Sequence, residues 1–171
     1  PGRATESEPL PVVFVGNRRL YAPRPVVDYA LRAEVPLKIW GAKWNGTAAE
    51  HCLVDRYIPN ENLGAVYASA EVVLNDHTED MLARHFLSNR VYDVLASGRP
   101  IMSEPMNGLP KDVEELMTFY HDYSDFEKKL EALRAETTEE RVYRKEKART
   151  IAENHSFDAR ARELVQIIES L

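Results

Sequence analysis

Cysteine is almost absent from this sequence: Cys52 is the only one among 171 residues. A single thiol cannot form a disulfide within the chain, so we expect a reducing compartment, which is typical of the cytoplasm. Long apolar runs are missing too, and none approaches the ~20 residues that a membrane-spanning helix needs. The sequence therefore predicts no membrane-spanning segment and a cytoplasmic location.

An excess of basic residues is also lacking. The chain has 22 Lys and Arg against 28 Asp and Glu, which gives a net charge of −6. This balance argues against nucleic acid as a partner, although it leaves room for a local basic pocket. Metal-binding spacings are missing as well, because the polar residues Asp76, His77, Asp80 and His85 form no HxxxH pattern and have no cysteine pair beside them. We predict no metal ion.

The first residues differ in character from the rest of the chain. The segment PGRATESEP is polar and rich in proline, and it begins without Met. We predict that residues 1–11 are a linker or the cut edge of a longer polypeptide. Residues 12–171 then form one domain, since a chain of this length can bury a substantial core.

Short apolar runs alternate with helical patterns along this domain. The predicted strands are Val12–Val15, Leu37–Trp40, Cys52–Val54, Glu71–Leu74, Pro100–Ser103 and Met117–Tyr120. Continuous apolar strands of this length are typical of a parallel sheet that is covered on both faces. The fold class predicted is α/β: a doubly wound, Rossmann-like parallel sheet flanked by helices, with a helical C-terminal tail.

Two of the predicted helices have clear apolar faces. In one, Val91, Val94 and Leu95 recur at helical spacing, and Gly98 followed by Pro100 marks its end. In the other, Ser156 is expected to cap the last helix. Its inward face is predicted to consist of Phe157, Ala161, Leu164, Val165 and Ile168.

Polar residues gather where the predicted strands end. The first strand leads into Gly16, Asn17, Arg18 and Arg19, and the fourth leads into Asn75, Asp76 and His77. In open parallel sheets, ligands bind beyond the carboxyl ends of the strands. Gly16 lets a backbone approach a phosphate, and Arg18 or Arg19 can neutralise one. A glycine after a strand is common, however, and VGNRR is neither a dinucleotide fingerprint nor a P-loop.

The start of the helix after His85 has the features of an anion site. Ser88 and Asn89 lie at its positive end, Asn89 and Asp93 share one face, and Arg90 stands three residues before Asp93. Asp93 is placed to accept hydrogen bonds from hydroxyl groups. This combination suggests a phosphorylated sugar or a nucleotide as ligand.

The order VVFVGN…YIPNENLGAVYASAEVVLNDH…SNRVYDVLASGRPIMSE resembles the C-terminal half of a GT-B glycosyltransferase, which is one half of the GT-B fold. It is most similar to the spore-maturation (CgeB-like) branch and to the related group 1 enzymes, which have two spaced acidic residues. The resemblance covers roughly Val12 to Val113 and the tail ENHSFDARARELV. It implies that the domain binds a nucleotide sugar, the donor from which a sugar moves to an acceptor.

The resemblance also implies roles for single residues. Asp93, at the second acidic position, would hold the ribose hydroxyls, while the backbone amides of Ser88 and Asn89 receive the phosphates. Arg18 or Arg90 would stabilise the departing diphosphate. The remaining family positions are Asn75 and His77 at a strand end, Tyr57 and Ile58 against the base, and His85, expected to be catalytic, beside the donor sugar.

One family feature is replaced here. The first acidic residue of the pair, expected eight positions before Asp93, is His85. No cofactor besides the donor substrate is implied. The family also needs an N-terminal acceptor domain of the same polypeptide, without which the isolated chain should bind nucleotide and fail to transfer sugar.

Two alternatives to a transferase stay open at this stage. The first is a non-catalytic Rossmann-like module that keeps the fold for binding or interaction, and His85 in place of an acid favours it. The second is one half of a sugar-nucleotide epimerase, which uses the same two-domain fold. Product analysis with the donor alone would separate transfer from isomerisation.

Overall fold

A six-stranded parallel sheet forms the centre of the protein. The structure is a computed structural model that describes residues 10–20 and 22–170. All six predicted strands are confirmed, and their ends move by at most one residue. The strands are β1 (Val12–Val15), β2 (Leu37–Trp40), β3 (Leu53–Asp55), β4 (Val72–Leu74), β5 (Ile101–Ser103) and β6 (Met117–Phe119).

The spatial order of the strands is β3-β2-β1-β4-β5-β6. The chain winds outward from β1 to β3 and then returns to pair β4 with the other side of β1, with Val12 opposite Val72. The order therefore reverses between β1 and β4. A crevice forms at such a switch point, because the loops that follow the two strands diverge to opposite faces of the sheet.

Helices connect the strands and extend beyond the last one. They are α1 (Pro25–Arg32), α2 (Asn60–Ala68), α3 (Glu79–Ala83), α4 (Asn89–Ser97), α5 (Lys111–Glu114), α6 (Tyr123–Arg134), α7 (Thr138–Asn154) and α8 (Phe157–Glu169), with a 3₁₀ turn at Glu50–Cys52. The sequence did not predict α3, whose five residues are too few to show a helical period. Its start is set locally, since Thr78 Oγ1 accepts a hydrogen bond from Met81 N.

The sheet buries a separate apolar cluster on each face. Alternate residues of β1 point to opposite sides, so Val12 and Phe14 join one cluster and Val13 joins the other. The first cluster includes residues of α1 and α6, and the second includes residues of α2, α4 and α7. This arrangement confirms the doubly wound, Rossmann-like fold that the sequence predicts.

Helix α4 has the predicted form. Val91, Val94 and Leu95 are buried, and the helix stops at Gly98, which adopts a left-handed conformation with φ of 70°. A side chain at this position would be strained by that backbone, and its Cβ would lie 2.5 Å from Lys145 Cγ. Glycine therefore both ends α4 and lets α7 pack closely against it.

The prediction for α8 is half right. Ser156 does cap the helix, and its side chain accepts a hydrogen bond from Ala159 N. The predicted inward face is wrong, because no described residue covers it: Phe157 is 88% exposed and Leu164 is 58% exposed. The residues concerned are Phe157, Ala161, Leu164, Val165 and Ile168.

Of the predicted linker, residues 1–9 lie outside the described residues. Leu10 is exposed, and the carbonyl of Pro11 accepts a hydrogen bond from Glu71 N at 2.8 Å, just before β1. Within the described ranges, no helix is both long and apolar enough to span a bilayer.

Candidate functional site

Buried polar residues concentrate at the carboxyl ends of the central strands. Asn75 and Ser103 are completely buried, and His77 and Asp76 are 3% and 7% exposed. The first three residues after β4 and the last residue of β5 thus replace the apolar side chains found along the strands. Buried polar groups are costly unless they are paired, so their partners define what this region can do.

Three arginines surround one of these residues, and we call them the arginine cluster: Arg19, Arg24 and Arg90. Arg24, which precedes α1, donates to the carboxylate of Asp76 and to the carbonyl of Asn17. Arg19 Nη2 lies 3.4 Å from Asp76 Oδ2, and Arg90 in the first turn of α4 donates to Asn75 Oδ1 at 2.9 Å. Arg19 and Arg24 thus pair with Asp76, and the charge of Arg90 also acts on this carboxylate, so three guanidinium groups gather at the switch point between β1 and β4.

The ring of Phe14 lies under two members of the cluster. The guanidinium carbons of Arg24 and Arg90 are 5.1 Å and 5.6 Å from its centroid. Gly16 leaves room for the Phe14 ring and for Arg90, because a Cβ there would lie 3.1 Å from the ring and 3.3 Å from Arg90 Nη2. The glycine after β1 therefore allows the Arg90 side chain to pack against it, a role that the sequence did not predict.

The charged groups of the cluster shift the pKa values of one another. Burial raises the pKa of Asp76, and Arg24 and Arg19 oppose that rise. Burial also lowers the pKa of Arg24, with repulsion from Arg19 and Arg90 acting in the same direction against the attraction of Asp76. Within the described residues, Arg19 Nε and Asp76 Oδ2 are buried without a hydrogen-bond partner. Such a site suits an anionic ligand that also carries hydroxyl groups.

A closed set of hydrogen bonds lies next to the cluster, and we call it the polar ring. Arg90 donates to Asn75, Asn75 Nδ2 donates to Ser103 Oγ at 3.1 Å, and Ser103 donates to Glu104 Oε2 at 3.0 Å. His77 Nδ1 lies 3.0 Å from Glu104 Oε1, and Ser88 N donates to His77 Nε2 at 3.2 Å. The members are Asn75, His77, Ser88, Arg90, Ser103 and Glu104.

This geometry determines which ring nitrogen of His77 carries the proton. Because Nε2 accepts the Ser88 amide proton, the ring proton resides on Nδ1, which donates it to Glu104. Burial by itself raises the pKa of Glu104, but hydrogen bonds from the His77 side chain and from backbone amides outweigh it and hold the pKa below the ordinary value of 4.5. Both ring nitrogens of His77 are therefore engaged, as is the Ser88 amide.

A cavity of about 330 Å³ opens beside the arginine cluster and the polar ring. Its lining includes Arg19, Asp76, His77, Glu104 and Tyr120. Burial, with the nearby carboxylates of Glu104 and Asp76, raises the pKa of Tyr120 and keeps its phenol protonated. The walls thus combine cationic, anionic and hydroxyl groups within the volume of a small ligand.

Asp93 lies on another flank of α4. Asn89 and Asp93 share a face, as predicted, and both line a cavity of about 370 Å³ that reaches Phe157 and Arg160 of α8. Burial raises the pKa of Asp93, and the charge of Arg90 opposes the rise. Arg90, rather than Asp93, thus connects α4 to Gly16 and Asn75.

Other predicted residues lie apart from the cluster. Arg18 is exposed and lines a different cavity, beside Asp28 and Trp44. Asn17 holds the loop after β1, since its Oδ1 accepts a hydrogen bond from Ala42 N at 2.7 Å. Tyr57 is 71% exposed, and it precedes the partly buried Ile58 in the loop before α2.

His85 is also separate from the cluster. It is exposed and has a positive φ of 55°. A Cβ at Gly108 would lie 2.7 Å from His85 Nδ1, so the imidazole rests against the turn after β5. Its predicted catalytic role stays a prediction.

Arg24 and Ser103 are not among the site residues predicted from the sequence, and neither are Asp76 and Glu104. Asp76 is the second residue after β4 and Glu104 the first after β5, so the rule for strand ends could have found them. Arg24 has no such signal: it precedes α1 and reaches Asp76, 52 residues away. Among the residues that the structure describes, no group of three or more His, Cys, Asp or Glu side chains is arranged to hold a metal.

Comparison with known proteins gives the class of this chain. A family model described as glycosyl transferase-like matches residues 19–166, which is most of the sequence. The chain belongs to this glycosyl transferase-like family. No curated protein sequence matches it.

Two solved structures share the fold. The GtfA/B complex superposes with a TM-score of 0.64 at 16% identity, over 94% of this chain and 36% of the other. The glycotransferase of kitacinnamycin superposes with a TM-score of 0.57 at 14% identity, over 96% of this chain and 46% of the other. The present chain thus spans less than half the length of either structure.

Proposed function

We propose that the chain is the nucleotide-sugar-binding domain of a GT-B glycosyltransferase of the spore-maturation (CgeB-like) type, working in the cytoplasm. Family membership and the Rossmann-like fold support a transferase. The observation that carries the donor-binding role is the arginine cluster at the switch point of the sheet, in which Arg19 and Arg24 pair with Asp76 and Asn75 holds Arg90 beside them. A diphosphate is the part of the donor that such a site fits.

The cluster would act on the leaving group. When the bond between the sugar carbon and the diphosphate oxygen breaks, negative charge grows on that oxygen. Arg24 and Arg90 are already oriented by Asp76 and Asn75, so they would stabilise this charge without reorganising. No metal or other cofactor enters the proposal, because the arginines provide the positive charge.

Asp93 would bind the nucleoside part of the donor. Its carboxylate is one turn beyond Arg90 on α4 and lines the cavity of about 370 Å³ that reaches α8. From there it would accept hydrogen bonds from the ribose hydroxyls, with the base near the loop that contains Tyr57 and Ile58. The Asn89 amide at the positive end of α4 would complete the contacts to phosphate.

Acceptor binding is assigned to another domain of the same polypeptide. The chain covers 36% and 46% of its two structural neighbours, and transfer needs donor and acceptor to be aligned with each other. The isolated chain should therefore bind the nucleotide and leave the sugar in place.

Titration calorimetry of the 171-residue chain against UDP, GDP and ADP tests the proposal. At least one should bind with a dissociation constant in the micromolar to millimolar range. Arg90→Ala should weaken that binding by about tenfold or more, because it removes a charged hydrogen-bond donor. Asp93→Ala should weaken it by less. Arg84→Ala is the matched control, since its exposed guanidinium pairs with Asp80 on the surface.

A wild-type chain that binds none of the three nucleotides would contradict the proposal, as would equal losses in Arg90→Ala and Arg84→Ala. Chemistry in the full polypeptide then separates the remaining possibilities. Conversion of a nucleotide sugar without acceptor would indicate an epimerase. Binding without any reaction would indicate a non-catalytic module.

A further inference from the structure

The polar ring closes on the first turn of α4 at two points. The amide of Ser88 meets His77, and the guanidinium of Arg90, two residues later, meets Asn75. Both points lie where the helix presents its positive end. The ring therefore determines where α4 begins relative to β4 and in which direction Arg90 extends.

Glu104 connects the two halves of the ring. Its Oε1 accepts from the backbone and the imidazole of His77, at 2.5 Å and 3.0 Å, and its Oε2 accepts from Ser103 at 3.0 Å. Because the Ser103 hydroxyl donates its hydrogen bond to Glu104, its oxygen is free to accept one from Asn75 Nδ2. This leaves Asn75 Oδ1 directed at Arg90. The carboxylate can only accept, and the Arg90 guanidinium and the Ser88 amide can only donate, so Glu104 provides the acceptor that lets every hydrogen bond in the ring run in one consistent direction.

The same carboxylate selects the tautomer of His77. An imidazole with its proton on Nδ1 presents a lone pair at Nε2, and only this form accepts the Ser88 amide proton. Without Glu104, Nδ1 would lose its acceptor and the other tautomer, with a proton on Nε2, would become competitive. That proton would point at the Ser88 amide and push the start of α4 away.

We propose that Glu104 and His77 are positioning residues of the donor site, which hold α4 and Arg90 where they meet the diphosphate. The inference rests on the proposed function. Both residues line the cavity of about 330 Å³, and in this assignment their effect on the donor is exerted through Ser88, Asn75 and Arg90. Loss of Glu104 should weaken nucleotide binding although no arginine of the cluster is replaced.

The test compares three variants of the 171-residue chain: Glu104→Ala, Glu104→Gln and Glu114→Ala. Gln retains a carbonyl oxygen that can accept from His77, and Glu114 is an exposed glutamate of α5. The ligand is whichever of UDP, GDP and ADP binds most tightly to the wild type. Nitrogen NMR of the His77 ring reports its tautomer in each protein.

We expect the wild type and Glu104→Gln to carry the His77 proton on Nδ1 and to bind within about threefold of each other. Glu104→Ala should bind about tenfold more weakly. A larger fraction of its molecules than in the wild type should carry the His77 proton on Nε2. Glu114→Ala should match the wild type. A purely structural role for Glu104 would lower stability without changing the tautomer or being rescued by Gln.

Ser103→Ala covers the case in which Glu104→Ala does not fold. It keeps the contact between Glu104 and His77 and removes the link to Asn75, so affinity should fall severalfold with the tautomer unchanged. If the wild type binds none of the nucleotides, the proposed function fails. If it binds and both Glu104→Ala and Ser103→Ala bind equally well, only the positioning role is overturned.

Discussion

Helices α4 and α8 have the same kind of apolar pattern, but that of α4 is buried and that of α8 is exposed. Val91, Val94 and Leu95 of α4 are at most 1% exposed, whereas Leu164 and Ile168 of α8 are 58% and 61% exposed. The start of α4 is joined to the sheet through His77 and Asn75, while α8 begins at a local Ser156 cap. Helical periodicity thus identifies an apolar face without identifying what covers it.

The largest loss in the free energy of unfolding should come from Leu95→Ala in α4. Leu95 is 1% exposed and belongs to the apolar cluster shared with α2 and α7. Removing it leaves a cavity, so the free energy of unfolding should fall by about 2–5 kcal/mol. Urea denaturation followed by circular dichroism measures this loss. A loss below about 1 kcal/mol would mean that α4 is not part of the cooperative core.

A smaller effect is expected at the attachment of α4 to the sheet, and it depends on pH. The fold holds the pKa of Glu104 below 4.5, so the ionised carboxylate stabilises the protein above the pKa of the unfolded chain. That contribution is lost as the pH falls through the lower, folded-state pKa. Glu104→Gln should therefore be less stable than the wild type at pH 7, and the difference should shrink towards pH 3.

Urea unfolding of both proteins at several pH values between 7 and 3 measures this difference. Two curves that stay parallel across the whole range would show that Glu104 has no special stabilisation in its ionised form.

The smallest effect is expected from Leu164→Ala in α8. Leu95→Ala is the same substitution in another helix, so the difference in helix propensity between Leu and Ala contributes equally to both results. Because Leu164 is 58% exposed, the free energy of unfolding should change by less than about 0.5 kcal/mol. A loss above about 2 kcal/mol would instead mean that the apolar face of α8 is covered in solution.

Much of the fold could be predicted because its signals are local. Apolar runs of three or four residues locate all six strands, and Gly98 marks the end of α4 because only glycine adopts its conformation without strain. Helix α3 was missed because its five residues hold no full period. The exposed face of α8 was predicted as buried because the spacing of its apolar residues matches that of a packed helix.

The site could be predicted only in part. The rule for strand ends placed Gly16, Asn75 and His77 together, and the short distance along α4 placed Arg90 near Asp93. Arg24 has no such signal, since its partner Asp76 lies 52 residues away, and the position of Glu104 after β5 does not reveal that its partner is His77, 27 residues away. The reason for Gly16 was also hidden, because it depends on how the side chains of Phe14 and Arg90 pack.

The sequence by itself determined the alternation of strands and helices, the parallel sheet and the edge at which polar residues collect. These follow from hydrophobic periodicity and from backbone preferences that act over a few residues. Tertiary structure alone decided that Arg19 and Arg24 share the carboxylate of Asp76, that Asn75 holds Arg90 beside them and that Glu104 orients His77. Such contacts join residues far apart in the chain, and their geometry exists only once the sheet has brought the ends of β1, β4 and β5 together.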